Sequence, residues 1–501
     1  MRRWLDAVTG RVTMYRLVLL ALVAVAALAL VLSLAGQLAF PIADLLATGI
    51  VAVGVTFATS WLFALVFRVK PHPESSLITG FLLFFLFYPS TAVPDLLSVA
   101  LAATIASASK YLLAIRGRHI FNPAAIGAFV VSVLGLNAAV WWVATGFLLP
   151  LTAIGAFLVL YRSRRLPVGL TFVVMAAAIV VLRLVSSGTG FGDALASTFT
   201  SFPLVFLAGF MLSEPLTLPP RRWQQLTVAA VVAVLFAVPF QLGPVFSSPE
   251  LALLVGNVVA FAFGQRHGIR LTYLGKRQLT PSSWELAFRP ASPVLFRAGQ
   301  YLELTVPHRA DFRGSRRIFS ISSAPKPDGP LTVALSVPEK PSSFKRAFLA
   351  LDEGASVRAT GIGGDFVLPR DPATPVVLVA GGIGITPFAS QLAHDHELGH
   401  DRDVVVVYAV RDNDELGYAD LLEKSRARVV LVSPSRPADL PQNWTWAGSG
   451  RITADLLRSA VPDLVSRRAF VSGPPGLVAD MRAALKGIGV KKVTADYFSG
   501  Y

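Results

Sequence analysis

Apolar and polar residues divide this chain into two textures. Up to about residue 266, long apolar runs alternate with short breaks that carry the charge. The runs fall at about 14–35, 41–67, 77–91, 93–115, 122–137, 139–161, 167–187, 195–213, 225–241 and 247–264. A bilayer asks for about 20 apolar residues per helical span. The pattern therefore predicts ten membrane helices, of which 77–91 and 122–137 are short and suit broken or protein-surrounded helices. Beyond Arg266 the runs shorten. Trp284–Phe288, Tyr301–Val306 and Leu331–Val337, punctuated by Pro, Gly and Ser, predict a small antiparallel β-domain reaching about Pro369. From Pro375, Val376–Ala380, Val404–Val410, Val429–Val432 and Ala469–Ser472 are each followed by a helix-like stretch, the rhythm of a parallel α/β domain. The expected fold class is thus multi-domain: an all-α polytopic membrane domain at 1–266, a β-domain at 267–370 and an α/β domain at 371–501, the last two joined by the proline-rich Leu368–Pro375.

Composition agrees with a membrane half. Only 15% of the 501 residues are charged, against about 25% in ordinary globular proteins. Of the 45 Lys+Arg and 30 Asp+Glu, 16 and 7 lie in residues 1–266. Apart from Lys110 and Arg183, which lie inside the runs, those bases sit at Arg2, Arg3, Arg11 and Arg16, at Arg68 and Lys70, Arg116 and Arg118, Arg162, Arg164 and Arg165, Arg221 and Arg222, and Arg266. That is the N-terminus and every second loop, with no Lys or Arg in the loops between. The positive-inside bias then places both termini in the cytoplasm of a multi-pass protein of the inner (plasma) membrane. Further spans follow the N-terminal run, so it does not read as a cleaved signal. No basic run is interleaved with aromatics, and nucleic acid is not an expected partner.

The chain has no cysteine. Disulfides, cysteine-ligated iron–sulfur clusters, thiolate zinc sites and cysteine nucleophiles are excluded, and no metal site is expected. His72 and His119, both in predicted cytoplasmic loops, are the only histidines before His267, which disfavours a haem pair held between helices. Asp44, Lys110, Arg183 and Glu214 interrupt the spans. Ionisable groups there default to a functional reading; for Lys110, Arg183 and Glu214, near span ends, snorkelling to the headgroups is the simpler account.

Three local patterns stand out in this half: Leu77-Ile-Thr-Gly80-Phe-Leu-Leu83, Gly117-Arg-His-Ile-Phe-Asn122-Pro123-Ala-Ala125 and Phe210-Met-Leu-Ser-Glu214-Pro215-Leu-Thr217. Asn122-Pro123 reads either as a broken helix whose asparagine reaches a ligand or as a plain helix entry, asparagine capping and proline following. With ten spans, the patterns resemble a family of polytopic membrane proteins found in Rnf-type electron transport complexes and in sodium-translocating NADH:quinone reductases. The resemblance implies FMN in the membrane, esterified to a threonine of a Ser-Gly-Ala-Thr stretch on the outer side. Here the equivalent is Asp193-Ala-Leu-Ala-Ser197-Thr198-Phe-Thr200-Ser201, which lacks that Gly-Ala; Thr198 and Thr200 are the candidate threonines.

In the second half, Arg317-Ile-Phe319-Ser320-Ile-Ser322-Ser323 follows Phe296-Arg-Ala-Gly299-Gln300-Tyr301. An arginine, an aromatic and a hydroxyl on one strand offer a phosphate clamp, a stacking ring and a hydrogen bond to a heterocycle. Gly361-Ile-Gly363-Gly364-Asp365-Phe366 lets backbone amides approach an anion. The strand Val376–Ala380 runs into Gly381-Gly382-Ile-Gly384-Ile-Thr386-Pro387, where Thr386 is the expected N-cap of a helix aimed at a pyrophosphate. Ser472-Gly473-Pro474-Pro475 ends a later strand at the same edge, and the chain closes on Asp496-Tyr-Phe498-Ser-Gly-Tyr501.

In order and spacing, residues 268–501 resemble a ferredoxin–NADP reductase-type flavoprotein. The resemblance implies a β-barrel carrying FAD, with Arg317 on its phosphates, Phe319 against the isoalloxazine, Ser320 near the reactive nitrogen, Ser322 as a further cofactor contact, and Gly363 and Gly364 by the pyrophosphate. It implies NAD(P)H on the α/β domain through Gly382, Gly384, Thr386, Gly473 and Pro474. Ser472, which stands where the family has cysteine, and Phe498 would join Ser320 at the hydride path. For nicotinamide choice, Ser433, Ser435 and Arg436 resemble the serine–arginine pair of NADPH-using relatives, although similar turns occur in NADH-using ones. The expected function is a membrane-bound flavin oxidoreductase passing electrons from NAD(P)H via FAD to a flavin or quinone in the membrane domain. A flavin transferase and an extracytoplasmic flavoprotein are the further partners this reading allows. The rivals are a cytoplasmic-face NAD(P)H:quinone reductase and a transporter or scaffold with a regulatory redox domain.

Overall fold

In the computed structural model, residues 13–68, 71–115, 118–243, 245–264, 268–308 and 315–497 are described. Several bases of the topology argument, Arg2, Arg3, Arg11, Lys70, Arg116 and Arg266, lie outside them, as do His267 and Phe498. The chain divides into two compact units, Arg2–Gln265 and Arg266–Tyr501.

The first unit is helical: α1 (Met14–Leu34), α2 (Ile42–Val66), α3 (Pro73–Leu86), α4 (Val93–Leu112), α5 (Pro123–Val133), α6 (Leu149–Arg162), α7 (Leu166–Ser186), α8 (Phe191–Thr200), α9 (Arg222–Ala237) and α10 (Pro249–Ala262). Among the described residues α1, α2 and α7 are long and apolar enough to cross a membrane, and a fourth span results if α8 is joined to Leu204–Met211, bent from it by 48°. The remaining apolar segments fold shorter than their hydropathy suggests. The 11 residues of α5 rise only about 16 Å. Prolines in the first turn set the start of α3, α5, α6 and α10. The run predicted as a helix from 139 becomes helical only at Leu149. Before it, the backbone amides of Val140 and Trp141 both donate to the Leu86 carbonyl at the end of α3, at 2.9 Å, and Trp141 takes φ 53°.

The second unit holds two sheets. Strands β1 (Ile269–Thr280), β2 (Ser283–Pro290), β3 (Tyr301–Thr305), β4 (Arg316–Ser320), β5 (Leu331–Ser336) and β6 (Ser356–Gly363) form an antiparallel sheet in the order β4-β3-β6-β1-β2-β5. Its two edges meet through an Ile321–Val333 bridge, and the Ser322 amide donates to the Thr332 carbonyl at 2.8 Å. Leu271, Leu286, Phe288, Leu302, Leu304 and Val333 fill its interior with Phe344 and Phe348 of α11 (Ser343–Leu349).

Beyond Val376 the chain alternates: β7 (Val376–Gly381), α12 (Thr386–Glu397), β8 (Val404–Ala409), α13 (Ala419–Lys424), β9 (Arg428–Val432), β10 (Trp444–Trp446), α14 (Ala454–Ala460), β11 (Arg468–Gly473), α15 (Pro475–Ile488) and β12 (Val493–Tyr497). The strands are parallel throughout, in the order β10-β9-β8-β7-β11-β12. Val376 to Gly381 are all buried, as a strand covered on both faces requires. The order reverses at β7, so its C-terminal end is the switch point where such sheets bind ligands.

Candidate functional site

The loop after β7 and the end of β11 form one floor. Gly384 lies so close to β11 that a Cβ there would stand 2.5 Å from the Ser472 carbonyl oxygen and 2.6 Å from the Gly473 Cα. Any larger residue would push the two loops apart. Gly382 adopts φ +52° with open space around it, a conformation glycine takes without strain. The helix beyond enters differently from the expected cap. A 3₁₀ turn, Gly382–Ile385, precedes α12, and Thr386 is already helical. Its fully buried hydroxyl donates to the Ile383 carbonyl at 2.6 Å, tightening the turn instead of capping the helix. Pro474 occupies the residue before α15, whose N-terminus also opens on this edge.

Ser472 is fully buried, and its hydroxyl has no hydrogen-bond partner among the described residues. A buried unsatisfied hydroxyl costs about 1–3 kcal/mol, so the position suits a ligand that supplies the missing bond. Ser472 pairs in register with Asp496 on β12, and Asp496 Oδ2 lies 3.4 Å from the Ser320 hydroxyl at the end of β4. Ser320 of the antiparallel sheet thus touches Asp496 of the parallel sheet, one strand over from Ser472. Sequence pattern singles out the two serines and not the aspartate, whose relevance arises only from strand register.

Arg317 places its guanidinium 5.1 Å from the Phe344 ring on the first turn of α11. Phe319 stacks on Phe344 and Phe348, with ring centroids 5.9 and 5.2 Å away, and remains half-buried. Gly363 ends β6 opposite Tyr301; next to it Gly364 has φ +111° and accepts a hydrogen bond from Gln300 Nε2 at 3.1 Å. Ser322 is tied elsewhere than expected for a cofactor contact. Its hydroxyl reaches Glu285 Oε1 at 2.8 Å and Thr332 Oγ1 at 2.6 Å.

Glu285 is 7% exposed and is invisible to sequence patterning. It accepts from Arg277 Nε at 2.7 Å and from the Tyr418 hydroxyl at 2.8 Å. Burial, and next the Glu285 charge, push the Tyr418 hydroxyl well above its ordinary range. Glu415 likewise accepts from Thr280 Oγ1 and from the amide and hydroxyl of Ser282, at 2.6, 3.0 and 2.8 Å. These carboxylates pin the two sheets to each other and so hold Ser320 against β12. At the adjacent strand ends, Asn413 Nδ2 donates to Ser435 Oγ at 2.9 Å, and Ser435 and Arg436 are exposed.

The helical unit gathers a second cluster. Glu214 accepts from Asn122 Nδ2 at 3.0 Å and lies 2.8 Å from His119 Nε2. Asn122 also caps α5, its Oδ1 accepting from the Ala125 amide at 3.1 Å, while its own amide donates to Asn257 Oδ1 at 2.8 Å. Asn122 is therefore the helix-entry cap, and its side-chain amide is bonded to Glu214. The charges that interrupt the apolar runs have protein partners. Glu214 is held by His119 and Asn122, Lys110 Nζ donates to the Ser75 carbonyl and hydroxyl at 3.1 and 3.2 Å, and Arg183 donates to the Ala237 carbonyl at 2.7 Å. Thr198 and Thr200 each donate to the carbonyl four residues back, at 2.7 and 2.9 Å; Thr198 is fully buried and Thr200 half-buried.

A glycine-lined switch point beside a sheet bearing arginine, aromatic and serine is the arrangement expected of a flavin- and nicotinamide-binding module. Known proteins agree with this class. Residues 378–483 match the family model of the oxidoreductase NAD-binding domain. The chain is 30% identical over 210 residues to ferredoxin–NADP reductase B of Sorangium cellulosum, covering 40% of this chain and 79% of that protein. It is 27% identical over 213 residues to the stachydrine N-demethylase reductase subunit Stc4 of Rhizobium meliloti, covering 42% of this chain and 60% of that protein. A crystal structure of the Amycolatopsis cytochrome P450 reductase GcoB aligns with 26% identity and a TM-score of 0.39 over 46% of this chain and 69% of that one. Through its C-terminal half the chain belongs to the ferredoxin–NADP reductase family. The chain spans about 60% of the length of Stc4, and the part it shares with these relatives is an FAD- and NAD(P)H-dependent oxidoreductase module.

Proposed function

We propose that the chain is a self-contained transmembrane electron-transfer enzyme, carrying electrons from NAD(P)H in the cytoplasm to a flavin or quinone held by the helical unit and on to the far side of the bilayer. In this reading residues 1–266 span the membrane ten times with both ends cytoplasmic. Residues 267–370 are a flavin barrel, and 371–501 hold the dinucleotide. The observation that carries it is the meeting of Ser320 with Asp496, and of Asp496 with Ser472 in register, at the switch point.

The residues fit the two cofactors. Gly384 packs directly on the β11 backbone and Gly382 beside it has open space, while the Ser472 hydroxyl is buried without a partner among the described residues. Gly382, Gly473 and Pro474 would bind the dinucleotide phosphates, and Ser472 would donate to the nicotinamide end. Arg317, Gly363 and Gly364 would hold the FAD phosphates, Phe319 would pack on its ring system, and Ser320 would orient its reactive edge. When bound, FAD accepts a hydride from the nicotinamide and releases its electrons singly. Asp496 accepts from Ser320 and fixes the direction of that hydroxyl. Glu285 and Glu415 keep the two sheets at the spacing this contact needs.

In the helical unit, Asn122, Glu214 and His119 would border the membrane acceptor, and Thr198 or Thr200 would be the anchor if an FMN is attached. Stc4 is named a reductase subunit of a demethylase; here the acceptor would be part of the same chain. The test is to purify the full chain, measure FAD content and NAD(P)H oxidation with ferricyanide, and repeat with Arg317→Ala. Loss of FAD supports the reading, and full occupancy with unchanged turnover overturns it.

A further inference from the structure

The antiparallel sheet carries a band of arginines on the face opposite its core. Successive side chains of a strand point to opposite faces. Leu271, Leu302, Leu304, Val357 and Phe288 point inward, so Arg270, Arg316, Arg358 and Arg289 point outward, and all four are exposed. Register aligns them: Arg316 pairs with Thr305, Thr305 with Arg358, and Arg358 with Arg270, while Arg289 sits one row along, opposite Thr272. Like charges set directly opposite each other destabilise a sheet, yet Arg270 and Arg358 are so placed. None of the four is in an ion pair among the described residues; Glu303 lies diagonal to Arg316 on that face.

The band also has a particular place in the chain. Arg270 is the second residue of β1, and the last apolar helix ends at Ala262. Eight residue steps at about 3.5 Å allow a leash of at most about 28 Å. Cytoplasmic leaflets carry negative surface potential that acts within about a Debye length, about 8 Å at physiological salt. We infer that this arginine face docks on anionic lipid headgroups, which supply the counter-charge that the Arg270–Arg358 pairing lacks. The inference rests on the membrane reading proposed above. Docking would hold the flavin sheet at a fixed orientation to the bilayer without involving the Arg317 side of β4.

The absence of cysteine allows a clean test. A fluorophore is attached at Thr305→Cys, or at Glu423→Cys on the exposed surface of α13 as a control. Each full chain is placed in nanodiscs containing headgroup-quencher lipid, of either neutral phosphatidylcholine or a mixture with phosphatidylglycerol. The expected result is quenching at 305, not at 423, that is roughly twofold or more stronger in anionic discs and lost at about 1 M salt. It should also be lost in Arg270→Glu/Arg289→Glu/Arg358→Glu, whose FAD content and ferricyanide turnover stay at the parent level. Equal quenching in both lipids, or unchanged quenching in the charge-reversed chain, overturns the inference while leaving the electron-transfer reading intact. A chain that fails to enter discs at all overturns the membrane reading itself.

Discussion

The Ser320 hydroxyl at the end of the flavin sheet lies 3.4 Å from the carboxylate of Asp496, on the last strand of the parallel sheet. The two residues are 176 positions apart, and the strand partner of Asp496 is Ser472. A hydroxyl aimed by a carboxylate keeps one orientation toward whatever occupies the switch point. Asp496→Ala should therefore lower kcat with either nicotinamide by about 10–100-fold, the range for losing a charged hydrogen bond. FAD content should stay unchanged. Stopped-flow reduction of the bound flavin checks this, and an unaltered rate would remove Asp496 from the site.

Gly384→Ala tests the floor. Its methyl group would meet the Ser472 carbonyl at a distance no Cβ tolerates. The expected outcome is a rise of KM for NAD(P)H of about tenfold or more with FAD retained, read from initial rates with ferricyanide.

Tyr418 gives a pH signature. Burial and the Glu285 charge raise its hydroxyl above the usual value, which is about 10 in an unfolded chain. The neutral form is favoured in the fold, so its contribution is complete below about pH 10 and is lost as pH rises through the window above it. Flavin-release melts should show wild type losing stability above about pH 10 more steeply than Tyr418→Phe. At neutral pH that variant should be less stable by about 1.5–3 kcal/mol, through loss of the bond to Glu285. Identical alkaline profiles would contradict the assignment.

Glu214→Gln addresses the helical unit. It keeps the size of the side chain but removes the charge facing His119. If this cluster borders the membrane acceptor, reduction of a lipid-soluble quinone in proteoliposomes should fall by about tenfold, while ferricyanide reduction at the flavin continues. Equal loss of both activities would mean that Glu214 acts on folding.

The soluble strands were legible because burial on both faces leaves a plain mark, as in Val376–Ala380 and Val404–Val410, and glycine loops stand where such strands end. What sequence could not reveal was pairing across distance. Glu285, Glu415 and Asp496 are isolated acids in the chain, and only the approach of two sheets gives them partners. The helical unit was legible as apolar runs but not as lengths. The helix of the run from 139 starts only at Leu149, after Val140 and Trp141 have given their amides to the carbonyl of Leu86, and α5 ends at Val133, short of its run. His119 read as a loop residue because its partner, Glu214, lies 95 positions away.

The central claim is that electrons entering at the switch point leave through the helical unit. Purified full-length protein can be reconstituted into liposomes with ferricyanide trapped inside and NAD(P)H added outside, so that only molecules with the soluble module outward are fuelled. The account predicts that the trapped ferricyanide is reduced, and that Arg317→Ala and Glu214→Gln each slow the reaction. Reduction of ferricyanide added outside, with none of the trapped pool consumed, would contradict it.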